Sequence, residues 1–346
     1  MLAIATNLAA QTPQPELRLV LVNTTKLEAA SPATRFDRLD VNSNGLTVMK
    51  GPVGSAFLAV VVDTLGNVVT AQGRAGSGPG ELRTPSLMRI TSDAFFVLDV
   101  GTMRISKWSL KGQYITSTAV KQLVYPVLLT DDGMLAFLPP TNGPLVNLGN
   151  VSSGDQGAFQ SVVTSKDPPL SDWFPQGVRQ PLPAGGVVRD GYVLGDPLAM
   201  NLAYFDRSGR LTRKIELNRK PSLPSAARVD RQVSTMLLQR LVRPERAEVL
   251  RKNLLNQPVP HFHNQSALRE DSAGRIWALG MEGDSAVAHV FSPSGSVASI
   301  PIPCPGFEGY WSLAGQWLAV ACAPRDDDSP LGAVRMLFRV QPANRR

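Results

Sequence analysis

Short apolar runs and a recurring turn alternate along most of this chain. The turn is a polar residue, two further residues and a glycine. It occurs at Asn42-Ser43-Asn44-Gly45, Asp63-Thr64-Leu65-Gly66, Ser109-Leu110-Lys111-Gly112, Asp206-Arg207-Ser208-Gly209, Asp271-Ser272-Ala273-Gly274, Ser292-Pro293-Ser294-Gly295 and Ser312-Leu313-Ala314-Gly315, with a shorter form at Asp131-Asp132-Gly133. Asp, Asn or Ser accepts from the backbone two residues on and starts the turn. Glycine then takes the left-handed conformation that lets the return strand pair. β-Branched or aromatic residues follow each turn, so the pattern predicts antiparallel meanders.

The turns come in pairs that recur about every 40 to 50 residues, the repeat of a propeller blade. Blades are expected at about 36–82, 83–119, 123–164, 185–217 and 267–301, with a last one from about 309. The second is the most complete, with strands at 87–91, 94–98, 104–109 and 114–117. The third has a looser second hairpin at Ser152-Ser153-Gly154-Asp155, and the fourth turns at Gly191 and Gly209. The last blade is one strand short: after Asp326-Asp327-Asp328-Ser329-Pro330 it reaches only a third strand, at about 333–340. Residues 17–22, Leu-Arg-Leu-Val-Leu-Val, form a strand with no hairpin partner. They are expected to supply the missing outer strand, with Leu17, Leu19 and Leu21 on one face, and to close the ring. The fold class is therefore all-β: a six-bladed β-propeller of four-stranded antiparallel blades over residues 16–346.

Two segments break the meander. Residues 166–180, with Trp173 and Phe174, read as a loop between blades three and four. Residues 224–257 read as a helical hairpin inserted between blades four and five. Ser225 is placed to cap a helix in which Val229, Val233, Met236, Leu237 and Leu241 recur at helical spacing. Pro244 opens a second helix with Ala247, Leu250 and Leu254 on one side. Lys220, Arg228, Arg231, Arg240, Arg243, Arg246, Arg251 and Lys252 here outnumber Asp230, Glu245 and Glu248, so the hairpin carries most of a formal net charge of +7.

Composition sharpens this picture at three points. With 346 residues, 43% of them hydrophobic, the chain can bury a large core, and a closed repeat is the way a single domain reaches that size. No apolar run attains the roughly 18–20 residues that span a bilayer. Cys304 and Cys322 flank the turn at Gly315; one bridge and two buried thiols both fit. At the start, Met1-Leu2-Ala3-Ile4-Ala5-Thr6-Asn7-Leu8-Ala9-Ala10-Gln11 looks like the back half of a secretory signal peptide without its basic region. Residues 1–15 are accordingly expected to be a signal remnant and linker, and the protein to be periplasmic or extracellular.

Gly73-Arg74, Gly76, Gly78-Pro79-Gly80-Glu81-Leu82 and Pro85 resemble the blade junction of bacterial six-bladed propellers related to NHL repeats. Leu82 stands where that signature has an aromatic residue. Val97-Leu98-Asp99 with Arg104-Ile105, and Asp271-Ser272-Ala273-Gly274-Arg275-Ile276-Trp277 after a proline-containing lead-in (Pro258, Pro260), resemble further parts of the same pattern. The resemblance implies the fold and an exported protein; it implies no reaction.

The candidate chemistry is sparse. The glycine corner at 73–82 lacks the following helix that a phosphate loop needs, so Glu81 with Arg74, and Asp99 with Arg104, are expected to tie the junction. His261-Phe262-His263 could share a metal, but His289 is the only other histidine. Asp326-Asp327-Asp328 lacks the spacing of a calcium loop. There is no Gly-x-Ser-x-Gly elbow, and the cysteines have no evident catalytic partner. The basic hairpin has no aromatic between 228 and 252, so nucleic acid is not expected.

The reading is an exported propeller scaffold that binds a protein or an anionic ligand without catalysis and without a cofactor. Arg240, Arg243, Arg246 and Arg251 would form its basic rim. A monomer is expected. The alternative is a lactonase- or lyase-type propeller enzyme holding a divalent metal such as calcium in the central channel. Three or more Asp, Glu, Asn or His side chains converging near the axis would favour it.

Overall fold

The computed structural model describes residues 17–26, 38–51, 56–122, 124–131, 133–138, 147–152, 159–163, 183–238, 242–263, 267–283, 285–304, 307–322 and 334–343. Expectations for residues 1–15, for Ser153–Asp155, for the loop at 166–180, for Arg240 and Leu241, and for Asp326-Asp327-Asp328 lie outside them.

The seven glycine turns explain why the chain keeps reversing. At each, the glycine N–H donates to the carbonyl three residues back or sits in the equivalent tight reversal, and φ lies between 58° and 93°. At Gly45 a Cβ would also meet the Thr64 side chain at 2.6 Å, so glycine is required twice over there. Asp63 Oδ1 accepts from the N–H groups of Leu65 and Asn67, each at 2.8 Å. Asp206 and Asp271 repeat the arrangement. The shorter form at Gly133 is different: this glycine simply begins a strand, Gly133–Leu138.

Among the described residues, the strands so produced form six four-stranded antiparallel sheets. Five are meanders in chain order, spanning 39–72, 85–119, 125–163, 184–215 and 269–302. The sixth is built from both ends of the chain, in the order Leu17–Lys26, Val334–Pro342, Trp317–Cys322, Phe307–Ala314. The first strands of the sheets are Leu39–Val41, Pro85–Ile90, Tyr125–Leu129, Ala184–Val188, Arg269–Glu270 and Phe307–Ala314. Each contacts the next, and the last contacts the first. This is a β-propeller, and these are its inner strands.

Burial follows from that ring. Side chains alternate across each strand, so every middle strand serves two interfaces. Val48 and Val61 of the first sheet pack with Phe95 and Trp108 of the second, while Met49 and Val60 pack with Trp317 and Leu337 of the sixth. Each core cluster lies between two neighbouring sheets rather than within one.

The seam is closed as the sequence leads one to expect, over a longer strand. Leu17–Lys26 pairs with Val334–Pro342, and Leu17 and Leu19 pack on the core. Leu21 does not join them: the register shifts between Leu21 and Asn23, and Leu21 is 47% exposed at that bulge. Beyond the bulge, Asn23 and Thr25 accept from Arg335 Nη2 at 3.2 and 2.8 Å. Arg335 Nη1 donates to Thr47 Oγ1 at 3.0 Å and to the Asp63 carbonyl at 3.2 Å. One buried arginine thus ties the closing strand to the first sheet.

The insertion is the expected hairpin. Helix α1 is Ala226–Leu238 and helix α2 is Ala247–Leu255. Ser225 Oγ accepts from the Arg228 N–H at 3.2 Å, which is the predicted cap. Pro244 opens a short 3-10 turn, Pro244–Arg246, before α2 begins, because its ring suits the first position of a helix but leaves one donor fewer to hold it. A bridge between Ser222 and Val259 closes the base.

Candidate functional site

The connections between strands fall into two classes. Within a sheet, the first and third connections that are described are tight turns. The second connections, and those from one sheet to the next, include the longer segments. Since strands alternate in direction, the inner strands all enter the ring from the side of the sheet-to-sheet connections. That entry side receives the helical hairpin, whose chain runs on into the inner strand Arg269–Glu270.

Asp40 lies on the first inner strand and is fully buried. A carboxylate removed from water must be met by donors or it forces its own protonation. Four groups from three other inner strands meet it. Ile90 N–H donates to Oδ2 at 2.9 Å, and Arg89 Nη1 approaches the same oxygen at 3.4 Å. Arg269 Nη2 donates to Oδ1 at 2.9 Å, and Ser312 Oγ also donates to Oδ1. Arg89 reaches on to Asp131 at 3.4 Å. Burial disfavours the charge on Arg89, but Asp40 and then Asp131 outweigh it, and its pKa is raised. Arg269 is the opposite case. Burial pushes it down, Asp40 opposes this, and Arg89 adds to it. The result is a charge knot across the axis, drawn from sheets one, two, five and six.

Above the knot, on the entry side, lies a cavity of about 30 Å³, lined by Arg38, Leu39, Leu128, Arg269, Tyr310 and Trp311 among others. That volume suits about two waters. A sugar lactone or a nucleotide does not fit it. Arg38 stands over the Tyr310 ring at 4.6 Å, a cation–π contact.

Asp40, Arg89, Arg269 and Ser312 were not singled out by the sequence. They share no local spacing, and Ser312 read as a turn residue; it is instead fully buried inside the inner strand Phe307–Ala314. A pattern search over inner-strand positions, with blade register in hand, is the signal that would have found them.

The residues that were singled out are placed as follows. Arg243 and Arg246 are exposed at the start of the second hairpin arm. Arg251 is partly buried and binds Asp230 Oδ1 through Nε at 2.6 Å, tying α2 to α1. Helix α2 buries none of its residues, whereas α1 buries Val229 and Val233. Arg228 Nη1 donates to the Gly283 carbonyl at 3.1 Å and fastens α1 to the fifth sheet.

In the glycine corner, Glu81 turns back on its own loop, accepting from the Gly78 N–H at 2.7 Å. A Cβ on Gly76 would strike that carboxylate at 2.1 Å. Arg74 stacks on Phe57 at 5.8 Å. Asp99 accepts from the N–H groups of Arg83 and Thr84 and from Thr102 Oγ1, while Arg104 donates to the Ser77 carbonyl. The junction is tied, as expected, by backbone donors in place of the two ion pairs.

The histidines do not converge as ligands. His289 presents Nε2 to the His261 carbonyl at 3.0 Å and Nδ1 to Ser299 Oγ at 3.2 Å. His263 is pushed down to about 4, by burial first and by Arg228 second. Among the described residues, no three His, Cys, Asp or Glu side chains gather as a metal site. No described helix is long and apolar enough to cross a membrane. Cys304 and Cys322 form a disulfide with Cα atoms 5.5 Å apart, joining the fifth sheet's exit to the sixth sheet.

No family model matches this chain, and no curated protein is similar to it in sequence. Among solved structures, it is similar to a member of the DUF4221 family from Bacteroides vulgatus ATCC 8482. The identity is 12%, the match covers 95% of this chain and 100% of that one, and the TM-score is 0.53. It is also similar to a candidate exported protein from Bacteroides fragilis NCTC 9343, at 11% identity over 94% and 95% of the two chains, with a TM-score of 0.51. At these identities the likeness is one of fold.

Proposed function

We propose that this chain is an exported six-bladed propeller, related to NHL-repeat propellers, that binds an acidic protein on its entry side and catalyses nothing. The observation that carries this is the hairpin: α2 buries no residue, and it is presented with Arg243 and Arg246 exposed beside it. A helix that covers no core earns its ordering only through what docks on it or through the partner helix that carries it. The disulfide supports export, since bridges persist in oxidising compartments. Within the proposed rim the four arginines divide. Arg251 holds the hairpin's shape through Asp230, leaving Arg243 and Arg246, with Arg240 before them in the chain, for recognition. The axis supports a scaffold over a metal enzyme, because guanidinium groups, which repel a divalent cation, surround Asp40.

The test is charge reversal. Arg240→Glu, Arg243→Glu and Arg246→Glu together should leave Tm unchanged and lower the salt at which the protein elutes from immobilised polyglutamate. Elution at the wild-type salt concentration, with the fold intact, would place recognition elsewhere.

A further inference from the structure

Arg269 uses one terminal nitrogen on Asp40, but its Nε has no acceptor among the described residues. Trp311 is 3% exposed, and its Nε1 also has no acceptor. Both side chains line the axial cavity, and so does Arg38. Every polar side-chain group just named is a donor. Asp40 cannot answer them, because its oxygens are taken by Arg269 Nη2, Ser312, Ile90 N–H and Arg89. Two guanidinium groups share that one buried carboxylate, Arg89 reaches on to Asp131 as well, and Arg38 adds a third cation on the entry side, so the described charges leave one cation in excess.

We propose that this cavity is a binding site for one small monovalent anion, chloride or a carboxylate the size of formate. A buried N–H without a partner forfeits the hydrogen bond it made to water, and a buried cation in excess is costlier still. A water could accept from two of the donors, but it must then place its own two hydrogens, and it brings no charge. An anion accepts from whichever of these donors turn toward it and neutralises the surplus. At about 30 Å³ the space admits a halide or a formate and excludes gluconate. The lowered pKa of Arg269, caused first by burial, is what such an anion would reverse. The site is independent of the hairpin: it sits on the axis and uses none of the hairpin's arginines.

The experiment uses the full chain at constant ionic strength, with sodium gluconate replaced stepwise by chloride, bromide or formate. Tm should rise saturably, by roughly a few degrees, with the small anions and not with gluconate. A rise with formate alone would assign the site to carboxylates; a rise with the halides would assign it to free ions as well. Bromide-soaked crystals should show an anomalous peak within hydrogen-bond distance of Arg269 Nε and Trp311 Nε1. Trp311→Phe, which removes one donor and keeps an aromatic, apolar side chain, should raise the half-saturating concentration about tenfold. If that variant does not fold, Arg38→Gln on the entry side should raise it several-fold. The proposal is overturned if Tm is indifferent to which anion is present, if the cavity shows no bromide peak, or if the folded variant saturates as the wild type does.

Discussion

The tight turns and the sheet-to-sheet connections solve the same problem, reversing or passing on the chain, by opposite means. At Asp63, Asp206 and Asp271 every backbone donor to the carboxylate lies within four residues of it. The carboxylate caps its own turn with donors from the turn itself, even where, as at Asp63, the turn's carbonyls also serve as anchors for Arg335 and Asn23. The connections between sheets are held from a distance. Arg83 and Thr84 depend on Asp99, Arg228 on Gly283, Cys304 on Cys322, and Arg269 on Asp40 across 229 positions of sequence. Self-contained turns give the ring its repeat. Distant ties give it closure, a charged axis and a place for an insertion, and it is there that repeat folds carry binding.

If that contrast is right, cutting a distant tie should cost far more than spoiling a local turn. The seam is the largest case. Removing residues 1–22 deletes most of the strand Leu17–Lys26, exposes the edge of Val334–Pro342 and uncovers the core under Leu17 and Leu19. A loss on the order of 5 kcal/mol and a fall in Tm of roughly 5–10 °C are expected. Arg335→Ala should reproduce about half of that loss within the full chain, since it strands Thr47, Thr25 and Asn23 at the same seam. Urea denaturation of the two variants measures both; a truncated chain that melts like the full one would refute the closure.

The disulfide comes next. Cys304 and Cys322 are 18 residues apart, and a bridge of that span contributes about 3 kcal/mol, chiefly by restricting the unfolded chain. The Cys304→Ala, Cys322→Ala double variant should unfold at lower urea with an unchanged m-value, and wild type in reductant should match it. Equal midpoints for the bridged and unbridged proteins would mean that the junction is already held by the packing of Trp311 and Val334 around it.

The same division decides how much of the molecule could be read from its sequence. Self-capping turns announce themselves: a side-chain acceptor, two residues and a glycine are local chemistry, so the hairpins, the repeat and the short last sheet were legible. So was the Ser225 cap, which is also local. The axial site was not. Asp40, Arg89, Arg269 and Ser312 come from four inner strands, and nothing in the neighbourhood of any one of them betrays the others. The spacing of Ser312 to Gly315 fits a turn, yet inner-strand register puts Ser312 against Asp40. Glu81 and Asp99 tie the junction as expected, but neither does so through the arginine named with it, for a related reason. Opposite charges near in sequence suggest each other, but backbone N–H groups in and just after the glycine-rich corner are closer and better aimed donors to both carboxylates.

The smallest expected effect comes from the turns themselves, and Asp206 is the place to look for it. Its pKa is lowered from 3.8 to about 2, first by the Ser208 side chain, then by the Arg210 backbone N–H, with burial opposing. The carboxylate is therefore favoured in the folded state. The stabilisation is fully present above the unfolded pKa of 3.8, and it is lost as pH falls through that value toward about 2. Asp206 sits in solvent, so screening limits the effect, and Asp206→Asn, which keeps one acceptor, should lower Tm at neutral pH by no more than a degree or so. Below about pH 3 the difference between variant and wild type should shrink, because the wild-type carboxylate is by then losing its advantage. Paired melts at pH 7 and pH 2.5 decide the matter. A larger loss for Asp206→Asn than for the disulfide variant would mean that this turn is coupled to the rest of the ring, and the separation of local turns from distant ties would fail at its simplest example.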